Sequence, residues 1–294
     1  PPDRMKGGAM RRRLDTNAIG DTWVDDACID CGTCQWMVPE VFDETGGQAR
    51  VHTQPRDADA ELGVVRAAVS CPTASIHAPS YLKHLQPGFP VEMLPGVYHC
   101  GYHHRDSFGA TSWLVVRREG NVLVDSPRFT VALMRQLDKL GGVSRIVLTH
   151  RDDVADHRKF AQHYGCPRTL HQDDVQESTS DVEHQPTGTA AVPLADDLLF
   201  IPTPGHTKGS ACLLYRPAHL DPVLFSGDHL AWSLADEQLH AFRDFCWHDW
   251  GAQRRSMERL AEHAFGSVLP GHGAPAFLQP ERMGRELAAL IRRM

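Results

Sequence analysis

No apolar run in the 294 residues approaches the roughly 20 residues that a bilayer crossing needs, which excludes a membrane-spanning helix. Basic excess is also missing. Thirty Lys and Arg against 37 Asp and Glu leave a net charge of −7, whereas binding to nucleic-acid phosphates needs clustered cations. No phosphate-cradling glycine loop and no nucleophile elbow occurs, so nucleotide hydrolysis and serine-esterase chemistry are not expected. The basic start Arg11-Arg12-Arg13 is followed by Asp15 and polar residues rather than by an apolar stretch. It therefore does not read as a secretory signal, and residues 1–20 are expected to be a solvated, flexible tail. What remains is 41% apolar residues, enough for a packed core, on a chain long enough for one large domain and one small one.

Four of the eight cysteines carry a pattern: Cys28, Cys31 and Cys34, then Cys71-Pro72 after a gap of 37 residues. Three thiolates at every third position can grip one face of an iron–sulfur cube, and a distant Cys-Pro closes the fourth corner. Zinc sites of four cysteines instead show two separated pairs. A second triplet is absent, so one cluster is expected. The pattern, with Val38-Pro39-Glu40-Val41-Phe42 behind it, resembles a single-cluster bacterial ferredoxin domain over residues 21–79, of α+β type. The resemblance implies one [4Fe-4S] cluster on Cys28, Cys31, Cys34 and Cys71, and a redox partner for it. Residues 57–69 read as a helix that fills the space of a lost second cluster. Cys100, Cys166, Cys212 and Cys246 are expected as small buried apolar residues. Thiolate-held iron and free thiols suit a reducing interior, so a cytoplasmic protein is expected.

Residues 80–95, with Pro87, Pro90 and Pro95, read as an extended linker into a second domain over 96–294. There, short apolar strands alternate with helical stretches, near 128–140, 157–164 and 251–264, which gives an α/β class. An apolar run, Ile146-Val147-Leu148, leads into Thr149-His150-Arg151-Asp152-Asp153-Val154-Ala155-Asp156-His157. His150, Asp152, Asp156 and His157 are candidate metal ligands at the end of a buried strand. Three later segments fit the same site: Pro204-Gly205-His206-Thr207, Ser226-Gly227-Asp228 and Pro270-Gly271-His272-Gly273. In each, a lone His or Asp sits beside glycine, as a tight loop at a strand end requires where backbone nears a metal.

This set resembles the metallo-β-lactamase fold of metallohydrolases, with its His-x-His-x-Asp-His signature followed by single His, Asp and His ligands. The likeness spans roughly residues 96–275, and its Pro-Gly-His-Thr and Ser-Gly-Asp segments are similar to the glyoxalase II side of that group. It implies an αββα sandwich preceded by the small ferredoxin-like domain. It also implies two divalent ions, zinc or iron. His150, Asp152 and His206 would hold one, and Asp156, His157 and His272 the other, with Asp228 bridging. Asp156 has a second, catalytic role by this reading, orienting the bridging hydroxide or relaying its proton. Asp125 either orients the metal loop or caps the next helix. His99, His103 and His104 fall near the mouth as supporting or surface residues. Trp247, His248 and Trp250 either shape access or pack in the core.

The sequence departs from the signature where its second His should stand. Asp152 takes that place, and two extra residues precede Asp156-His157, which leaves Asp152 and Asp153 interchangeable as ligands. A carboxylate there moves preference from zinc towards iron or manganese and resembles the flavodiiron proteins. Alternatively, Asp152 only caps the following helix. The functional expectation is a di-metal hydrolase of a small-molecule ester, thioester or lactone. The alternative is a di-iron oxidoreductase that reduces oxygen or nitric oxide with electrons from its own cluster. A third reading is a degenerate domain serving as a scaffold.

Overall fold

Several strands of the second domain are apolar at every position, so both faces of the sheets they build must be covered. Along Val122–Val124, the two valines enter one apolar cluster and Leu123 enters another. Val147 likewise opposes Ile146 and Leu148, and Phe225 opposes Leu224. Side chains alternate across a strand, so this pattern calls for a layer above and a layer below. The computed structural model, which describes residues 11–294, supplies both.

Two six-stranded sheets face one another. The first runs in the spatial order Arg168–Thr169, Arg145–Val147, Val122–Val124, Trp113–Val115, Val97–His99 and Val91–Leu94. The second runs Val192–Ala195, Leu198–Pro202, Ala211–Tyr215, Val223–Gly227, Ser267–Pro270 and Ala276–Phe277. Val97, Trp113, Val115, Phe200, Leu213 and Phe225 fill the space between them. Each such side chain contributes about 1.5–3 kcal/mol by leaving water. Helices Val131–Lys139 and His157–Tyr164 cover the first sheet through Leu133, Leu137 and Phe160. Helices Trp250–Leu260 and Pro280–Arg293 cover the second through Met257, Leu260, Met283 and Leu287. The result is the four-layered αββα arrangement. No helix among the described residues is long and apolar enough to cross a membrane.

Strand direction decides where the polar loops gather. Val122–Val124 is parallel to Arg145–Val147, and Val223–Gly227 is parallel to Ser267–Pro270. Leu198–Pro202 shares the latter direction through two antiparallel pairings. Their carboxyl ends therefore open on the same edge of the sandwich. The Trp113 indole N–H donates to the Pro270 carbonyl at 3.0 Å, and the Thr111 N–H to the Gly271 carbonyl at 2.7 Å, which ties the last loop to the first sheet.

The N-terminal unit packs Val24, Val38, Phe42, Val51, Val64 and Ala67 between a five-residue helix, Thr33–Met37, and a longer one, Ala58–Ser70. Asp57 caps the longer helix by accepting from the Ala60 N–H at 2.9 Å. Two sequence boundaries need correcting. Of the expected tail, residues 1–10 lie outside the described residues, but 11–20 are fastened to this unit. Buried Asn17 donates to the Leu14 and Val24 carbonyls and accepts from the Val24 and Val51 N–H groups. The expected linker also has structure, because Val91–Leu94 pairs with Val97–His99 as an edge strand and Phe89 is buried.

Candidate metal centres

Cys28, Cys31, Cys34 and Cys71 line one enclosed cavity in the N-terminal unit, among Val24, Ile29, Ala49, Ala67 and Ile76. Burial, with Cys71 and Cys28 adding, pushes the Cys31 thiol up to about 11, and the same causes raise Cys34 further. Thiols crowded in this way lose their protons only to a cation. Backbone donors already point at the sulfurs: the Ser75 N–H lies 3.2 Å from Cys71 Sγ, and the Asp30 N–H lies 3.5 Å from Cys28 Sγ. Four converging thiols in an apolar shell with N–H donors suit an iron–sulfur cluster. Of the remaining cysteines, Cys100, Cys166 and Cys212 are buried, whereas Cys246 is half-buried.

At the shared sheet edge of the second domain, ligand atoms of His150, His206 and Asp228 lie within 4.8 Å of one another. A second group, Asp153, Asp228 and His272, meets the same limit, and Asp228 belongs to both. The backbone closes tightly here: a Cβ on Gly271 would stand 2.7 Å from Asp153 Oδ2 and 2.9 Å from Asp228 Oδ1. His150 is held in one tautomer. Asp125 accepts from both the Thr149 N–H and its hydroxyl, so that hydroxyl oxygen accepts from His150 Nδ1–H at 3.0 Å. His150 Nε2 is left facing the site without a partner, as are both His206 nitrogens, His272 Nε2 and both Asp153 oxygens. Buried donor and acceptor atoms are normally satisfied, and so many orphans in one place fit divalent cations.

The charges agree with that fit. Burial and the neighbouring His206 and His272 rings push His150 down to about 3, so it stands neutral with a lone pair to give. Burial works to raise Asp228, but His272, His150 and His206 outweigh it and hold the carboxyl well below its usual range. Asp153 moves the other way. Burial first, then the charges of Asp228, Asp125 and Asp152, raise it well above the usual carboxylate value. An acid in that position ionises only when positive charge stands beside it.

The sequence-derived ligand set is thus brought together in part, and one half of it needs correcting. His150, His206, Asp228 and His272 meet; Asp156 and His157 do not join them. The two extra residues let a helix begin at His157, which turns its ring away. His157 Nδ1 accepts from Arg168 Nη1 at 3.3 Å, and the ring is buried against that neighbour. Asp156 accepts from the Phe129 N–H at 2.8 Å and pairs with Lys159 at 2.7 Å, so its carboxylate is occupied away from the site. Asp153 stands where those two were expected. Asp152 is half-exposed, with its Oδ2 3.8 Å from His206 Nε2. Asp125 supports the metal loop rather than capping a helix, since Thr130 caps the helix at Val131. His99 and His103 form a buried pair, Nε2 to Nε2 at 2.7 Å, and not a surface mouth.

The two domains meet at the site. Thr33, between two cluster cysteines, donates to the Gly109 carbonyl at 3.3 Å and lies 3.1 Å from His103 Nδ1. Arg128 donates to the Val69 carbonyl, and Trp36 packs on His99 with ring centroids 5.2 Å apart. A cavity of about 760 Å³ opens over His206, Asp228 and His272, and its far wall includes Asp30, Cys31 and Gln35. Sequence reading missed this wall, because nothing in the local pattern of residues 28–35 tells which surface they face.

Residues 24–78 match the family described as the 4Fe-4S single cluster domain of Ferredoxin I. A search of the curated proteins finds no match. Among solved structures, DIM-1 metallo-β-lactamase exposed to ceftazidime aligns at 19% identity, covering 69% of this chain and 95% of that one, with a TM-score of 0.51. A metallo-β-lactamase from Hirschia baltica aligns at 16% identity over 68% of this chain and 96% of its own, with a TM-score of 0.52. VMB-1 aligns at 16% identity over 69% and 95%, with a TM-score of 0.53. At these identities the likeness is one of fold. The chain joins a single-cluster 4Fe-4S domain of the ferredoxin type to a domain with the metallo-β-lactamase fold.

Proposed function

We propose that the chain is a di-metal hydrolase of a small-molecule ester, thioester or lactone, with its cluster held against the metal cavity. What carries the reading is the sharing of Asp228 between two ligand groups, four of whose five residues, Asp153, His206, Asp228 and His272, line one cavity. When bound, two divalent ions held by these residues would lower the pKa of a water and offset developing charge on a carbonyl. The protein's part is positional. Thr149 and Asp125 hold His150 Nε2 forward, Asp228 offsets repulsion between the cations, and Asp153 adds a hard oxygen donor beside His272. The donor set of three imidazoles and two carboxylates accepts zinc or iron.

The test is metal and sulfide analysis of protein purified without oxygen, alongside hydrolysis assays on a thioester and a lactone. Four irons with sulfide plus two zincs, and hydrolysis abolished in Asp228→Ala, are expected. One observation favours a second reading. Cys31 lines both the cluster cavity and the metal cavity, so electrons from the cluster have a short way to a di-iron centre. Iron well above four per chain, with oxygen or nitric oxide consumed at the expense of the reduced cluster, would select that reading instead.

A further inference from the structure

Large apolar side chains are costly to leave in water, and this surface leaves few exposed. Of the eight exposed among the described residues, Phe108, Phe245 and Trp247 line the metal cavity. The same cavity is lined by two carboxylates, Asp30 from the cluster loop and Asp106. Neither carboxylate meets an Arg or Lys among the described residues; Asp30 accepts only from Gln35 Nε2 at 3.0 Å, and Asp106 lies 3.8 Å from His104 Nδ1. Arg151 is the cavity's one Lys or Arg side chain among the described residues, and it faces Asp152 at 3.8 Å. At the floor, His206 Nε2 and the Asp153 oxygens are buried and unpartnered. The cavity thus combines buried, unpartnered metal-ligand candidates with three exposed aromatic rings and two carboxylates that no Lys or Arg among the described residues offsets.

We infer that the iron–sulfur domain is the specificity wall of this cavity and selects substrates with an apolar body and an ammonium tail. The inference rests on the hydrolase reading for the group at the floor. Aromatic faces and carboxylates both attract an organic cation, and both repel a phosphate- or carboxylate-bearing tail. A volume of about 760 Å³ suits a molecule of drug-like size. Asp30 lies between Cys28 and Cys31 with a left-handed φ of 53°, so the fold of the cluster loop sets where its carboxylate stands. Cluster assembly and substrate recognition are then linked through one residue.

The experiment uses the full-length protein with cluster and metals in place. Three esters of one aryl-acyl group, differing only in a trimethylammonium, neutral or carboxylate tail, are compared. Binding of the corresponding non-hydrolysable amides is followed separately by Trp247 fluorescence, with Trp247→Phe as the control. The ammonium ester and amide should be favoured over the carboxylate pair by about tenfold. Asp30→Asn should shrink that preference to about threefold or less, with the loss falling in KM and the cluster absorbance kept. Asp106→Asn, outside the cluster loop, repeats the test should Asp30→Asn lose its cluster. Hydrolysis of all three esters without charge preference overturns the specificity wall and leaves the hydrolase reading standing. Selective binding of the ammonium amide with no ester hydrolysed does the reverse. Equal binding of all amides, with no hydrolysis, defeats both.

Discussion

Asp153→Asn should raise stability without metal and lose most of that gain when metal is bound. In the metal-free protein, Asp153 is 1% exposed, has no hydrogen-bond partner and faces three other carboxyl groups. Its raised pKa means that the folded state takes up a proton which the unfolded chain releases, so stability falls as pH rises above about 3.8. A buried unsatisfied group of this kind costs about 1–3 kcal/mol. Asparagine removes the charge, and at roughly 2–4 °C per kcal/mol for a domain of this size the chelated variant should melt about 2–12 °C higher. With metal present that gain is offset. Free metal at a thousandfold its Kd stabilises the fold by about 4 kcal/mol. Losing a ligand should weaken affinity by at least the 10–100-fold typical of supporting residues, which removes about 1.4–2.7 kcal/mol. Thermal melts of chelated and reloaded protein, with metal counted in each, measure both effects. Asp156→Asn is the matched control and should keep its metal. If Asp153→Asn changes neither melt nor metal count, while Asp156→Asn loses an ion, the ligand assignment is wrong.

Gly109→Ala should disturb the cluster from the other domain. The residue has a φ of +88°, and a Cβ there would stand 2.9 Å from Cys31 Cβ and Pro72 Cγ, so a bleached or altered iron–sulfur spectrum is expected and an unchanged one refutes the contact. A pH series on chelated protein tests the placement of His157, which burial and Arg168 push down to about 4. The unfolded state then binds a proton that the folded state refuses, and stability falls as pH drops from about 6.5 to about 4, by about 3 kcal/mol. Denaturation of wild type and His157→Gln should show the variant gaining by that amount between pH 7 and pH 4, and a constant gap would place the ring elsewhere.

What the sequence discloses follows the locality of each signal. The cluster cysteines are legible because three of them sit on one loop and the fourth carries its own proline. His206, Asp228 and His272 are legible because each stands beside a glycine at the end of an apolar strand, and strand direction then carries all three to one edge. The sandwich is legible because runs such as Val122–Val124 have no solvent face. The cavity wall is not, since Asp30 and Trp247 are far apart in the chain and reach one cavity only through the docking of the two domains, by Thr33 on Gly109, Arg128 on Val69 and Trp36 on His99.

The choice among acids in residues 152–156 is hidden for a different reason. All three are carboxylates, and residue type cannot rank them; their neighbours do. A metal recruiting Asp156 must displace the Phe129 N–H, a charge-assisted contact worth about 1.5–3 kcal/mol, and the exposed Lys159 ammonium, worth about 0–1 kcal/mol. Asp152 is 45% exposed and gives up hydration. Asp153 gives up nothing, because it is buried among other acids with both oxygens free, and a cation relieves its repulsion. Phe129 reaches Asp156 only because the preceding helix starts at Val131, and His157 finds Arg168 only because the strand Arg168–Thr169 pairs with Arg145–Val147. The ligand is therefore set by partners that two other segments deliver to its competitors, and no reading of the loop alone contains them.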